Sequence, residues 1–324
     1  MEMVKVERDN IIRVKLPMQG LLQWVNCYLI KGDEGYTLID TGTPNSQTIK
    51  HWEDVLKYLQ IGFHNINKII ITHHHIDHYG LAARLQHLTN APIYMSEKCY
   101  QQALKLWDPT FAYEEKLFEL FIQNGVPHSL LETYKTDLEA YFHAVQAHPE
   151  IRCMEEGEAV RLGNEEYKVL DTSGHAEGHI SLYNEHEQTI FCGDHIIPKI
   201  LPNLNFTLGF DLNPLDSYMK TLQRHSTMQV KHAFPGHMIA FKKYNERASE
   251  ILEQYQNRVE NMIMYMEQPV SVFEICIKML FKPLNSEQLK FKMFEILSYI
   301  EFLRADGKIE EAGVYQSIRK YVIK

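Results

Sequence analysis

The chain has 324 residues, 45% of them hydrophobic and 23% charged, with a formal net charge of −9. This is the composition of a soluble globular protein, with length for one large domain or a medium one plus a small one, and the acidic balance disfavours general affinity for nucleic acid or anionic membrane. The opening "MEMVKVERDN" lacks the basic and apolar regions of a signal peptide, no apolar run nears the ~20 residues of a membrane helix, and five scattered cysteines without a C-x-x-C pair point to a reduced, cytoplasmic protein.

Short β-like runs come first, at residues 11–16, 25–30 and 36–39, with "KGDEG" as a hairpin turn between the second and third. "DTGTPNS" then ends a strand and caps a helix over roughly 47–60. The β-branched run "KIIIT" (68–72) predicts a buried strand, followed by a helix from His78 to about Leu88. Residues 97–150 change character. Helical periodicity and many aromatics, including Trp107, Tyr113, Phe121, Tyr141 and Phe142, predict a helical insertion whose aromatics mostly pack between helices, a few lining a pocket. Strand signals return at 159–162, 167–170, 179–183 and 189–192. A proline-containing loop and a helix over about 214–225 follow, and "VKHAFPGH" reads as a last strand ending at His237. Two blocks of strands interleaved with helices predict an α/β sandwich, two packed sheets with helices outside. From about residue 243 the chain turns mostly helical, with breaks at "QPVS", "KPLNS" and "ADGK", which suggests a catalytic domain over 1–242 and a small domain over 243–324.

The chemistry concentrates in "THHHIDHYG", residues 72–80, at the end of a predicted strand. Imidazole nitrogen and carboxylate oxygen suit zinc. His73 and His75 alternate along an extended segment, so both side chains reach one side, whereas His74 and Ile76 point away. Asp77 and His78 come after the chain turns and can face a neighbouring second metal. Distant partners lie at other predicted strand ends: His175 in "TSGHAEGH", Asp194 in "FCGDH" and His237 in "FPGHM". A glycine beside each lets the backbone approach closely.

H-x-H-x-D-H followed in order by GH, GD and PGH resembles the metallo-β-lactamase fold hydrolases over roughly residues 10–240. The resemblance implies a four-layer αββα sandwich and two metals. His73, His75 and His175 would hold the first, Asp77, His78 and His237 the second, and Asp194 would bridge them. Zinc is the default, with iron and manganese also suited to such ligands. Such a pair of ions would acidify a water to serve as nucleophile, polarise the attacked group and neutralise charge on the leaving group. The resemblance implies that Asp77 and Asp194 are the catalytic carboxylates, Asp77 as a ligand before a proton acceptor.

Around them, Asp40 in "LIDTG" is placed to orient a histidine ligand, with Asn26 and Thr41 on the rim of the site. His179 reads as an outer donor or substrate contact, and His195 equally as a structural residue. His128, His143, His148, His225 and His232 read as surface or core residues, and the cysteines as buried and inert. The Asp77–His78 pattern resembles thioesterases of the hydroxyacylglutathione type, lactonases and nucleases more than β-lactam enzymes. Flavodiiron proteins carry Glu where this chain has His75.

"PVSVFEICIKMLF" and "SEQLKFKMFEILSYIEFLRADGKIE" read as helix, helix and short hairpin, similar to the winged-helix tail of some lactamase-like hydrolases. Residues 245–324 carry 11 Lys and Arg against 12 Asp and Glu, so the tail has no basic recognition face, and packing on the core or building a homodimer is the favoured reading. The expectation is a dinuclear metal-dependent hydrolase of a small ester-like molecule, a thioester or lactone first. The alternative is a ribonuclease or phosphodiesterase that holds nucleic acid with its C-terminal domain. A third possibility, a metal-retaining binding protein without turnover, fits the intact ligand set least.

Overall fold

A computed structural model describes residues 3–18, 20, 22–108, 110–279 and 285–324 of the chain. The break expected at "KPLNS" therefore lies partly outside the described residues.

The first sheet has seven strands, ordered as in the sequence. β1 (Val4–Arg8), β2 (Ile11–Pro17), β3 (Trp24–Gly32) and β4 (Gly35–Ile39) run antiparallel. After α1 (Ser46–Tyr58), β5 (Ile66–Ile70) joins in parallel. α2 (Ile76–Tyr79) and α3 (Ala82–Thr89) lead to β6 (Ile93–Met95). The insertion, α4 (Glu97–Leu106), α5 (Tyr113–Gln123) and α6 (His128–Phe142), leads to β7 (Ile151–Cys153). The second sheet has the order β12-β11-β10-β9-β8. It is built from β8 (Ala159–Leu162), β9 (Glu165–Asp171), β10 (Ile180–Asn184), β11 (Thr189–Gly193) and, after α7 (Pro214–His225), β12 (His232–Pro235).

Alternation explains why these strands stack face to face. In β3 and β4, Tyr28, Ile30 and Ile39 point one way and meet Leu182, Phe191 and Phe234 of the second sheet in one buried cluster. Tyr28, Phe191 and Phe234 pack ring against ring, with centroids 5.1–5.7 Å apart. The alternate residues Cys27, Leu29 and Leu38 face outward into a second cluster with Trp52 and Val55 of α1. On the far side Leu215, Tyr218 and Leu222 of α7 close the fourth layer. The architecture is the expected αββα sandwich.

α8 (Tyr244–Ile263), α9 (Val272–Met279), α10 (Ser286–Ala305) and the antiparallel hairpin β13 (Ile309–Tyr315)–β14 (Ile318–Ile323) complete the chain. α8 packs on α7, and α10 packs on α6, α7 and α9. Their apolar residues Ile251, Tyr255, Ile300 and Tyr321 belong to the same outer cluster as Trp52.

Several expectations shift. β1, β6 and β7 were not foreseen; β6 and β7 have only three residues each, too few for periodicity, and their pairing is decided by neighbours. The predicted helix from His78 is two helices, broken around Gly80, where a Cβ would stand 2.3 Å from the Ile76 carbonyl oxygen and 2.4 Å from Pro44 Cδ. β5 ends two residues before Thr72, and β12 ends at Pro235, so His237 lies on the loop beyond. Four cysteines are buried as expected, but Cys153 is exposed, its thiol 2.7 Å from Glu97 Oε2. Trp107, Tyr113, Phe121 and Phe142 are buried among helices, as read from the sequence. Among the described residues no helix is long and apolar enough to cross a membrane.

Candidate metal centre

The strand ends of both sheets meet at one edge of the sandwich, and the polar groups collect there. Beyond β5 the chain bends at Thr72 and turns at His75 into the short α2, which carries Asp77 and His78. His175 follows β9, Asp194 follows β11, and His237 follows β12. Close approach at Asp194 needs glycine on both neighbouring loops. A Cβ on Gly236 would lie 2.2 Å from Asp194 Oδ1, and one on Gly193, whose φ is +47°, would lie 2.6 Å from His179 Nε2.

His73, His75 and His175 present ligand atoms within 4.8 Å of one another, as do Asp77, His78 and His237, and as do His73, His78 and Asp194 between them. Asp194 reaches both outer groups. Its Oδ2 is 3.6 Å from His175 Nε2 and 3.2 Å from His237 Nε2, and its Oδ1 is 3.5 Å from His78 Nε2. Asp77 Oδ2 is 3.2 Å from His237 Nε2 and 3.4 Å from His78 Nε2. The structure thus brings all seven sequence-predicted residues together, six of them buried and His75 half-buried. His128, His143, His148, His225 and His232 are not among them.

The ring nitrogens on the outside are anchored. His78 Nδ1 lies 2.8 Å from Asp40 Oδ2, His175 Nδ1 donates to the Asn203 carbonyl at 2.7 Å, and His237 Nδ1 donates to the Trp24 carbonyl at 2.8 Å. Each bond holds a proton on Nδ1, so that Nε2 is the nitrogen that faces the centre. His73 Nε2, His78 Nε2, His175 Nε2 and Asp194 Oδ1 are sealed from solvent without a hydrogen-bond partner. Unmade bonds at four buried atoms cost stability unless something supplies the partner, and a cation fits this donor set.

Charge distribution in the metal-free site follows from its carboxylates. Burial pushes His78 down, but Asp77, Asp194 and Asp40 outweigh it, and His78 titrates well above the usual histidine range. His237, against the same desolvation, is raised to about 10 by Asp194 and Asp77. Asp77 and Asp194 are held below the carboxylate range by these histidines despite burial. His73 and His75 go the other way, lowered by burial and by neighbouring histidines. Protons on His78 and His237 therefore balance the carboxylates, in the place where a metal cation would act.

Asp40 orients a histidine, as the sequence suggested. Its φ of +60° aims the carboxylate at His78 while it accepts from the Thr72 N–H at 2.8 Å and the Thr72 hydroxyl at 2.9 Å. Asn26 and Thr41, expected on the rim, are instead buried beneath the site. Asn26 Nδ2 donates to the Pro235 and Met238 carbonyls and staples the His237 loop, and Thr41 Oγ1 donates to the His78 carbonyl. His179 touches no open space. It accepts from the Asp194 N–H at 3.1 Å through Nε2, and its Nδ1 meets Thr172 Oγ1 at 2.7 Å, so it holds the Asp194 backbone. His74 lies off the cluster, its ring near the Cys99 thiol.

Sequence reasoning missed the loop over 196–206. Asn205 Nδ2 stands 2.8 Å from His75 Nε2, and the Asn203 carbonyl holds His175. The loop is in turn tied to α8. Arg247 donates to the Ile197 carbonyl at 2.9 Å and the Ile200 carbonyl at 2.8 Å, and the Tyr255 hydroxyl donates to the Pro202 carbonyl. Two asparagines in a proline-containing loop after "GDH" were the available signal; the backbone acceptors carry none.

The comparisons agree with this geometry. The family model described as the metallo-beta-lactamase superfamily matches residues 24–237. The chain is 28% identical over 313 residues to the probable metallo-hydrolase YqjP of Bacillus subtilis (strain 168), covering 93% of this chain and 94% of that protein. It is 20% identical over 269 residues to an atrochrysone carboxyl ACP thioesterase of Aspergillus fumigatus, covering 82% of this chain and 67% of that one. The crystal structure of a metallo-beta-lactamase family protein from Thermus thermophilus superposes with a TM-score of 0.87 at 25% identity, covering 98% of this chain and 100% of that one. The chain belongs to the metallo-beta-lactamase superfamily and is a metallo-hydrolase.

Proposed function

We propose that this metallo-hydrolase cleaves a small ester-like substrate, a thioester first and a lactone second, with two metal ions, zinc by default. The observation that carries the metal part is the convergence of four sealed, unpartnered atoms, His73 Nε2, His78 Nε2, His175 Nε2 and Asp194 Oδ1. His73, His75 and His175 would hold one ion, Asp77, His78 and His237 the other, and Asp194 would reach both. Asn205 Nδ2 lies 2.8 Å from His75 Nε2 and donates to the His175 carbonyl at 3.3 Å, so this side chain ties two of these histidines together. Metal ions held there supply a water acidified towards pKa ~7 and a Lewis acid for the scissile carbonyl.

The chain's own residues then do the positioning. Asp40, Asn203 and the Trp24 carbonyl fix the imidazoles, and His179 fixes Asp194 from behind. Asp77 stays ionised beside His78 and His237, which suits a ligand better than a proton acceptor. The similarity to a protein described as a thioesterase supports the acyl-transfer reading.

The second reading, a metal-dependent ribonuclease or phosphodiesterase, draws on the succession α9, α10 and hairpin, which suits a winged-helix-like C-terminal domain over 243–324. The near balance of charge over 245–324 weighs against it, and we take that region as a wall of the pocket. The test is metal analysis coupled to a screen of thioesters, lactones and phosphodiesters. Zinc-dependent turnover of thioesters, abolished by chelation, is expected. Turnover of phosphodiesters alone, or tight RNA binding that weakens steeply with salt, overturns the reading.

A further inference from the structure

His237, which the reading above gives to the second ion, stands on the loop after β12, and the first sheet grips that loop by its carbonyls. On β3, the Tyr28 hydroxyl donates to the Pro235 carbonyl at 2.7 Å and the Asn26 N–H to the Gly236 carbonyl at 2.7 Å. Asn26 Nδ2 donates to the Pro235 and Met238 carbonyls at 2.9 Å each. Arg13, one strand further out on β2, reaches the same Met238 carbonyl and donates to it from the guanidinium at 2.6 Å. Met238 directly follows His237 and has a φ of +68°, a left-handed conformation that a non-glycine residue keeps where its surroundings hold it. The Arg13 and Asn26 donors on that one carbonyl do the holding here.

The Arg13 guanidinium is buried together with its countercharge. Its side chain is 3% exposed and that of Glu7, on β1, is 7% exposed, with Arg13 Nε 2.9 Å from Glu7 Oε1 and both atoms sealed from solvent. A buried ion pair costs desolvation that two well-packed apolar side chains would not, so stability alone is a weak reason for it. An apolar pair could not supply the charged donor on the Met238 carbonyl, and a charge-assisted bond is about twice as strong as a neutral one. The ligands of the first ion are braced from elsewhere. The Asn203 carbonyl holds His175, and Arg247 of α8 holds the loop that carries Asn203. The two halves of the centre therefore hang on different parts of the chain, one on β1–β3 and the other on α8.

We propose that Arg13, paired with Glu7, is a positioning residue for the second ion: it fixes the turn at Met238, and with it His237, and so sets the affinity of that ion independently of the first. This rests on the two-ion reading above. His237 Nδ1 is already tied to the Trp24 carbonyl of β3, so ring and backbone are both referenced to the first sheet. A shift of the turn moves His237 Nε2 away from Asp77 Oδ2 and Asp194 Oδ2, each 3.2 Å from it, and leaves His73, His75 and His175 in place.

The test uses the full chain and zinc alone, titrated in competition with a chromogenic chelator so that both binding steps are read. Arg13→Met should weaken one step about tenfold and leave the other unchanged. In an Asp77→Ala background, which should keep the first ion alone, Arg13→Met should leave the affinity of that single zinc unaltered, whereas a general loosening of the fold would lower it. Arg13→Lys, which keeps a charged donor beside Glu7, should recover most of the lost affinity. If Arg13→Met does not fold, Glu7→Gln combined with Arg13→Met removes both buried charges and takes its place. Equal weakening of both steps, no change in either, or weakening of the single zinc in Asp77→Ala overturns the proposal. So does an Arg13→Lys variant that binds no better than Arg13→Met. Two zinc ions retained in Asp77→Ala sink the two-ion assignment instead, while one selectively weakened step in the otherwise unaltered chain still upholds Arg13.

Discussion

Two groups of histidines lie side by side in this molecule, and only the first contains rings that are raised, His78 and His237, beside His73, His75 and His175, which are lowered. His73, His75, His78, His175 and His237 are interleaved with Asp77 and Asp194. Behind them, His179, His195 and His225 lie edge-on or tilted against one another and against Tyr218 and Tyr244, with His195 and His225 ring centroids 4.7 Å apart. In the first group the carboxylates hold His78 and His237 protonated. In the second, burial first and then neighbouring histidines and Arg224 push the rings down, against Asp194 at His179 alone, with His225 at about 3, so the group stays neutral. Both ring nitrogens of His195 are sealed and unpartnered, as is His225 Nε2. Unpaired nitrogens alone therefore do not mark a metal site. Convergence on carboxylates does, because it supplies the negative charge that a cation replaces.

The pH response should separate the two groups most strongly. His237 titrates near 10 without metal, so at neutral pH a metal must displace its proton, and that of His78 as well. Metal affinity should rise by about tenfold per pH unit per displaced proton from roughly pH 6.5 towards 10. For the metal-free fold the sign is reversed. The stability that His237 contributes is complete below about pH 6.5 and is lost as pH rises through about 10. Competition titrations with a chelator at several pH values check the first; a pH-independent affinity would merge the two groups.

Asp40→Ala should cost about 10–100-fold in metal affinity, because His78 loses the acceptor that fixes its tautomer. Arg247→Met should cost less, about tenfold, since it frees the carbonyls of Ile197 and Ile200 and loosens the loop that holds His75 and His175 at one remove. Metal affinity at unchanged fold, read by circular dichroism alongside, distinguishes positioning from collapse. His195→Leu should change least. It removes two unsatisfied nitrogens, so metal content should be unaltered and stability within about 1 kcal/mol, measured by denaturant unfolding. Loss of metal in that variant would make the second group part of the site.

The same contrast explains what was legible in the sequence. His73, His75, Asp77, His78, His175, Asp194 and His237 stood at strand ends in a fixed order, and the sheets followed from β-branched alternation. Asp40 could be read because a carboxylate at a strand end has few other uses. His225 was read as a surface or core residue, but His179 and His195 could not be told from ligands by residue type, since His179 lies four residues after His175 and His195 directly follows Asp194. Asn203 and Arg247 were invisible because they act on or through backbone carbonyls, which no residue type announces. The three-residue strands β6 and β7 were missed because pairing, not pattern, makes them strands.

The central claim is that two metals share these seven side chains. Metal analysis of the unaltered chain and of Asp77→Ala tests it most directly. Two zinc ions per chain should fall to one, with hydrolysis largely lost. Two ions retained in Asp77→Ala would contradict the claim.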